Sequence, residues 1–370
     1  MSTSRALPLL LALVSLAGCS GHVVRSEFAP NYGRFDLSDP PCRLSPQPTL
    51  QADEVGVRYL GAGGLYVEWQ GNALLMSPFF SNPSLFQVLF SPLKSDPWAV
   101  QQGLQGMDLS RIRAIAAGHS HYDHIGDLPL VAGQHVPGVP VWVNRTGANA
   151  LAPVLPDRAS VLEEQEGWIP LKGPQGNDLP IRFRKVESQH APHFWGILLS
   201  GGPIRKEWTE PWEKRHFLSL KSGTTYAFVI DLLSPTDPRK TLFRIYYQDS
   251  ANPPDKGLPR MEDGKPFDLA VLCMASYQFV RNHPGAILGD VKPRHVLVTH
   301  YEDFFQNRAY PVRFVAFLTN GSVDRFLRRT RDAVQGRETA GPEGTVCGPS
   351  NPVSTMPMPG EWMRFKASGV

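Results

Sequence analysis

Cysteine is scarce in this chain, with four in 370 residues, so any bridging amounts to two straps at most and not a framework. Charge of one sign is equally thin. Lys and Arg number 37 against 34 Asp and Glu, a formal net charge of +3, and so near a balance gives no support to a nucleic-acid groove. The apolar stretch Ala6 to Ala17 falls short of the roughly 20 residues that a bilayer-spanning helix needs. No internal repeat is visible. Proline, by contrast, is abundant at 35 residues, well above the usual share of about 5%. Strand and core patterns persist between the prolines, which implies long ordered loops.

One segment stands out against that background. Gly118-His119-Ser120-His121-Tyr122-Asp123-His124 crowds three imidazoles and a carboxylate into six positions after the glycine. Unmetallated rings so placed would each need a hydrogen-bond partner, so the density predicts a two-metal site. The apolar run Ile112 to Ala117 predicts a buried strand, and Gly118 lets the chain turn out of it. In an extended chain His119, His121 and Asp123 fall on one side and His124 on the other, so one loop supplies two adjacent metals. Three later residues each close a strand-like run: His190 after Ile181 to Gln189, Asp249 after Leu242 to Gln248, and His300 after His295 to Thr299. Strands converging on one rim would bring them to the first cluster. His193 is a rival to His190.

The pattern His-x-His-x-Asp-His resembles the first metal motif of the metallo-β-lactamase superfamily, whose later ligands also come from strand ends. Two further features resemble its branch containing N-acyl-phosphatidylethanolamine phospholipase D and a bacterial lactonase group. One is the Gln189-His190 pair. The other is the hairpin Val55 to Leu60, Gly61-Ala62-Gly63-Gly64 and Leu65 to Trp69, leading into Ala73 to Pro78. That branch usually has Asp-Pro where this chain has Ser77-Pro78. The resemblance covers residues 55–334 and implies an α/β fold, the four-layer αββα sandwich.

It also implies roles. His119, His121 and His190 would bind one divalent metal, Asp123, His124 and His300 a second, with Asp249 bridging. Imidazole and carboxylate donors suit zinc, with iron and manganese as alternatives. Two such ions would lower the pKa of a shared water toward about 7. Asp123 and Asp249 are the expected catalytic carboxylates, and His283 is expected to donate a proton or bind substrate. The implied activity is hydrolysis of an ester-like bond, first of all a phosphodiester, phospholipids included, with lactones and thioesters as alternatives. A mononuclear-iron sulfur dioxygenase and a non-catalytic metal-binding lipoprotein are the competing classes.

Leu16-Ala17-Gly18-Cys19 resembles a bacterial lipobox. That implies a signal peptide over residues 1–18, a diacylated Cys19 and, from Ser20, sorting to the periplasmic side of an outer membrane. Residues 19–52 read as a tether and 53–336 as one continuous domain, because the ligands run from His119 to His300. Residues 337–370 form a Gly/Pro-rich tail expected to wrap the surface. Cys42 and Cys347, both in loop-like sequence, either pair and strap the two ends or stay free, while Cys273 is expected to pack in a strand. Asp127, before Leu128-Pro129, reads as a helix start. Residues 322–334 read as an amphipathic helix with Val323, Phe326, Leu327 and Val334 inward. Phe79-Phe80, Phe86, Phe90 and Trp98 form one aromatic stretch. Phe194-Trp195, Trp208, Trp212 and Phe217, among Arg205, Lys206, Lys214 and Arg215, form another. Both read either as core beneath long loops or as a surface for acyl chains, phosphate or a bilayer. The expected partners are a small-molecule or phospholipid substrate and the membrane.

Overall fold

Period-two alternation builds the first sheet. β1 (Glu54–Gly61), β2 (Gly64–Trp69) and β3 (Asn72–Met76) form an antiparallel meander. Successive side chains take opposite faces: Val55, Val57, Tyr59, Leu65, Val67 and Trp69 enter one core, and Leu60, Tyr66, Ala73 and Leu75 the other. Three parallel strands follow, β4 (Ile112–Ala116), β5 (Val141–Val143) and β6 (Ala159–Val161). Parallel neighbours require crossover connections, and these carry α1 (Leu85–Phe90), α2 (Pro97–Leu104), α3 (Tyr122–Ile125) and α4 (Arg145–Leu151). Asp96 starts α2 by accepting from the Trp98 and Ala99 amides, with Pro97 at the first helical position, where its missing N–H has no partner to lose. Val88, Val100, Leu104, Ile125 and Leu151 cover the outer face of this sheet.

This computed structural model describes residues 46–193, 197–210, 212–305, 323–334, 341–343, 350–351 and 353–368. Cys19, Cys42 and Cys347, with the lipid anchor and the strap expected of them, lie outside the described residues, as do Phe194 and Trp195.

The second sheet opens with β7 (Ile169–Lys172), β8 (Asp178–Ser188), β9 (Thr225–Leu233) and β10 (Thr241–Tyr247), each antiparallel to the last. β11 (Leu269–Cys273) and β12 (His295–Thr299) then join in parallel. Because β9 opposes both β8 and β10, the strands β8, β10, β11 and β12 run the same way and end on one rim. α5 (Gly285–Val291) and α6 (Val323–Val334) cover the outer face through Ile287, Leu288, Phe326 and Leu327. The layers are therefore helix, sheet, sheet, helix, the αββα arrangement expected. Cys273 is buried in β11. Among the described residues no helix is long and apolar enough to cross a membrane.

One expectation is corrected here. The tail does not merely wrap the surface. β13 (Ser350–Asn351) and β14 (Ser354–Thr355) extend the second sheet, and β15 (Trp362–Lys366) pairs with β1 at the edge of the first. Met363 and Phe365 alternate inward, a period too short to read amid Gly and Pro. Just before β15, Gly360 and Glu361 clasp Tyr59: the Gly360 N–H donates to its carbonyl at 2.7 Å, and its N–H donates to the Glu361 carbonyl at 3.2 Å. Asp127 does start a helical stretch, Leu128–Leu130 running on into Val131–His135, as expected, although its side chain does not cap it. Its buried carboxylate instead accepts from the Phe80 and Ser81 amides at 2.6 and 2.8 Å and from the Ser81 hydroxyl, tying the metal loop to the chain after β3.

Candidate metal centre

Four strand ends deliver seven side chains to one place. Past β4, Gly118 crosses directly over Asp249: a Cβ at Gly118 would sit 2.4 Å from Asp249 Oδ1, so only glycine fits. Gly63, in the first hairpin, is bound by the same carboxylate, its Cβ position lying 2.6 Å from Asp249 Cβ and 2.8 Å from His124 Cε1. Beyond Gly118 the chain departs from the extended alternation expected. Ser120 bonds the Ser222 carbonyl at 3.0 Å, and α3 begins at Tyr122. Asp123 and His124 therefore leave from adjacent helical positions, about 100° apart, and Asp123 joins His124 instead of His119 and His121.

Two trios result. His119 Nε2 and His121 Nδ1 stand 3.1 Å apart, and the His190 ring lies 4.5 and 4.7 Å from theirs. In the second trio, Asp123 Oδ2 is 3.2 Å from His300 Nε2 and 3.5 Å from His124 Nε2. Within each trio the ligand atoms all fall within 4.8 Å of one another. Asp249 meets one ring of each: Oδ1 is 3.0 Å from His119 Nδ1, and Oδ2 is 3.5 Å from His124 Nδ1.

Neighbouring groups fix how these donors face. His121 Nε2 lies 3.3 Å from the Ser200 carbonyl and His190 Nδ1 2.6 Å from the Ala191 carbonyl, so each ring spends one N–H on the backbone and turns its other nitrogen inward as an acceptor. Asp249 Oδ2 accepts from the Ser77 hydroxyl at 2.8 Å and the Gly118 amide at 2.9 Å. Ser77 thus offers Asp249 a donor where an aspartate would bring a second negative charge. His300 adopts a left-handed backbone with φ of +56°, uncommon for a residue with a side chain. Its N–H donates to the Tyr59 hydroxyl at 2.8 Å, Tyr59 donates to Glu302 Oε2 at 2.5 Å, and the other Glu302 oxygen accepts from the Ala62 amide. Ser77 stands out in the sequence only as a departure from the Asp-Pro of the resembling branch, and nothing singles out Tyr59 or Glu302, since each is a lone polar group whose partner lies far along the chain.

Electrostatics keep His121, His124, His190, Asp123 and Asp249 in metal-binding form. Burial, followed by the neighbouring His119 ring, holds His121 and His190 well below the ordinary histidine range and takes His124 down to about 3. Burial pushes Asp123 and Asp249 upward, but the surrounding imidazoles outweigh it and hold both carboxyls well below their ordinary value. For His300 burial acts downward and the bond to Asp123 upward, with a net rise. Neutral imidazoles and ionised carboxylates are the states that ligate metals.

The residues fit a pair of cations. His124 Nδ1 and His300 Nδ1 are buried without a hydrogen-bond partner, and rings face each other with little to share, an arrangement that is costly to leave uncompensated. Tetrahedral nitrogen donors at zinc distances sit about 3.3 Å apart, close to the His119–His121 separation of 3.1 Å.

His283 is not brought to this group. It is buried under α6, its ring 5.9 Å from Phe326 and its Nε2 3.3 Å from the Cys273 carbonyl, and burial lowers its pKa to about 4. The catalytic role expected of it is corrected on that ground: the apolar stripe of α6 covers the loop. His193 stands beside the first trio, 5.0 Å from the His190 ring and 5.6 Å from that of His121, but belongs to neither trio. Of the aromatic stretches, Phe79, Phe80, Trp208, Trp212 and Phe217 are core, whereas Phe86, Phe90 and Trp98 are exposed.

Fold and donor set together define an αββα protein with candidate ligands for two cations. No family model matches the sequence, and no curated protein does. Among solved structures, the chain is similar to Igni18, a metallo hydrolase from the archaeon Ignicoccus hospitalis, at 15% identity and a TM-score of 0.46, covering 85% of this chain and 99% of that one. It is also similar to the metallo-β-lactamase fold protein YhfI of Bacillus subtilis, at 14% identity and a TM-score of 0.38, covering 73% and 94%. A third is CmlA, a diiron β-hydroxylase of Streptomyces venezuelae, at 12% identity and a TM-score of 0.43, covering 86% and 55%.

Proposed function

We propose that this chain is a hydrolase dependent on two divalent metals, zinc first, which cleaves an ester-like bond, with phosphodiesters, phospholipids among them, as the leading substrate class. The observation that carries the reading is the pair of trios, His119–His121–His190 and Asp123–His124–His300, with Asp249 touching one ring of each. The first trio would hold one cation, the second the other, and Asp249 would stand between. Such ions, when bound, supply Lewis acidity toward a phosphoryl or carbonyl oxygen and acidify water to a pKa of about 7. The chain does the rest. Ser77 and Gly118 aim the Asp249 carboxylate, whose charge offsets part of the cationic charge. The Ser200 and Ala191 carbonyls fix His121 and His190, and Tyr59 with Glu302 holds His300 in place. Rigid ligands of this kind stabilise charge with little reorganisation during reaction.

The preference for phosphodiesters over lactones and thioesters rests on the Gln189-His190 and hairpin resemblance. Export, lipidation at Cys19 and a periplasmic, outer-membrane location are inferred from Leu16-Ala17-Gly18-Cys19. The deciding experiment pairs metal analysis of the purified chain with a panel of phosphodiesters, lactones and thioesters. Two zinc or manganese ions per chain are expected, with phosphodiester turnover that disappears, together with metal, in His121→Ala and Asp249→Ala. Undiminished turnover in a metal-free double variant would refute the reading. So would one iron per chain with oxygen uptake on a persulfide.

A further inference from the structure

We propose that the groove between α1, the start of α2 and the turn at Phe217 binds the alcohol part of the substrate, and that it takes an uncharged, hydroxylated group, a glycerol or sugar moiety, in preference to a hydrocarbon chain. Its connection with turnover rests on the hydrolase reading above; the groove itself does not. It has a volume of about 570 Å³, within the range of small-molecule sites. Two aromatic contacts join it to the second trio. Phe217, in its lining, packs edge-on at 5.4 Å against Tyr122, the residue before Asp123. Phe305, also in the lining, packs at 4.6 Å on Phe304, whose ring lies 4.9 Å from that of His300. Ser95 ties the same groove to the metal loop, its hydroxyl donating to the Gly126 carbonyl at 2.8 Å. An alcohol carried by an ester at the second trio therefore has the groove about one ring away.

Asn82 decides what the groove takes. It is only 9% exposed and lines the groove, yet its carboxamide has no hydrogen-bond partner among the described residues. Its backbone is left-handed, with φ of +40°, a conformation that asparagine tolerates better than most residues. An amide so placed is costly to leave unpaired, and a hydrocarbon chain in the groove would leave it so. A hydroxyl can accept from Asn82 Nδ2 and donate to Oδ1. Phe217, Phe305, Pro92 and Pro97 supply apolar surface for the carbon skeleton. The lining carries two charges, Lys94 and Asp96, and Asp96 already accepts from the Trp98 and Ala99 amides. Their signs cancel, which favours an uncharged group over an ammonium or a second phosphate. The groove adds no chemical step; it selects and orients the group attached to the ester oxygen.

Two variants test this. Asn82→Gly removes the carboxamide at a backbone angle that glycine accepts, and Ser91→Trp, at a half-buried position in the lining, fills the groove while keeping Asn82. Zinc content should match the parent in both. With the zinc-loaded full chain and two p-nitrophenyl phosphodiesters, one carrying glycerol and the other 1-butanol, kcat/KM is expected to be about tenfold higher for the glycerol diester. In each variant that ratio should fall to about one. Saturation-transfer NMR with free glycerol, myo-inositol and 1-butanol needs neither turnover nor metal. Glycerol or myo-inositol should take up saturation from the parent, the stronger of the two telling a glycerol from a sugar site, and should lose it in both variants. No polyol signal with the parent, or one unchanged in both variants, would overturn the proposal. Butanol binding in place of the polyols would make the groove an acyl site and overturn it too, and equal turnover of the two diesters would detach it from the substrate. If the parent cleaves neither diester, the phosphodiester reading falls, while the NMR still decides what the groove binds.

Discussion

Two buried polar clusters lie on the same sheet and are built on opposite terms. On β10, Arg244 is fully buried and paired with Asp231 at 2.6 and 2.9 Å and with Asp263 at 2.7 and 2.6 Å. Its charge is matched in a double fork, the strongest way for protein to hold a guanidinium. Five residues later Asp249 enters a cluster in which imidazoles crowd imidazoles and two ring nitrogens lack any partner. The first is complete as folded. The second is complete only with something added. Burial of charge alone therefore does not mark a functional site; incompletely matched donors aimed at a common point do.

Acid should separate the two clusters most sharply. His124 is held down at about 3, and His121 and His190 well below their ordinary range, all chiefly by burial, against 6.5 in the unfolded chain. Below that value the unfolded chain takes up protons that the folded one refuses, so stability of the metal-stripped protein should fall as pH drops from 6.5 toward about 3. The loss is up to about 1.4 kcal/mol per pH unit for each ring. His300, raised in the fold, acts with the opposite sign: its contribution is complete below 6.5 and lost as pH rises through its folded value. The Arg244 cluster should be silent over this window, because Asp263, held at about 2 by Arg244, loses its contribution only as pH falls below 3.8. Urea midpoints at about pH 7 and about pH 5 check this, and equal midpoints would dissolve the contrast.

Arg244→Ala comes next in size. It leaves the buried Asp231 with Arg182 and Thr241 alone and should lower stability by about 3 kcal/mol while leaving metal content unchanged; loss of metal would mean the clusters are coupled. Glu302→Gln should act the other way, sparing most of the stability and weakening metal binding about 10–100-fold, measured by competition with a chelator. Ser77→Ala removes one donor from the Asp249 carboxylate. The same titration should show a loss of about 1.5 kcal/mol, roughly tenfold in affinity.

The ligands were legible because each stands where a regular pattern stops: Ile112 to Ala116 before His119, β10 before Asp249, β12 before His300. Side-chain period reports the strand, and a histidine or aspartate just past its end is conspicuous. Their supports were not legible. Tyr59 sits inside a strand as an ordinary buried aromatic, and its carboxylate partner is 243 positions away. Ser77 reaches Asp249 across 172. His283, expected in the site from the family resemblance alone, lies elsewhere, because α6, far along the chain, settled on its loop. Asp127 met the sequence rule for a cap, yet three donors from the segment after β3 outcompeted the helix end. In each case residues distant in sequence decided the outcome, and local pattern has no access to them.

The clasp of Gly360 and Glu361 on Tyr59 ties the chain beside β15 to the seat of His300 through that one tyrosine. A nick, deletion or fused tag near β15 would be felt as a displaced His300 before the sandwich itself came apart. Worn ends would thus silence this protein while leaving it folded.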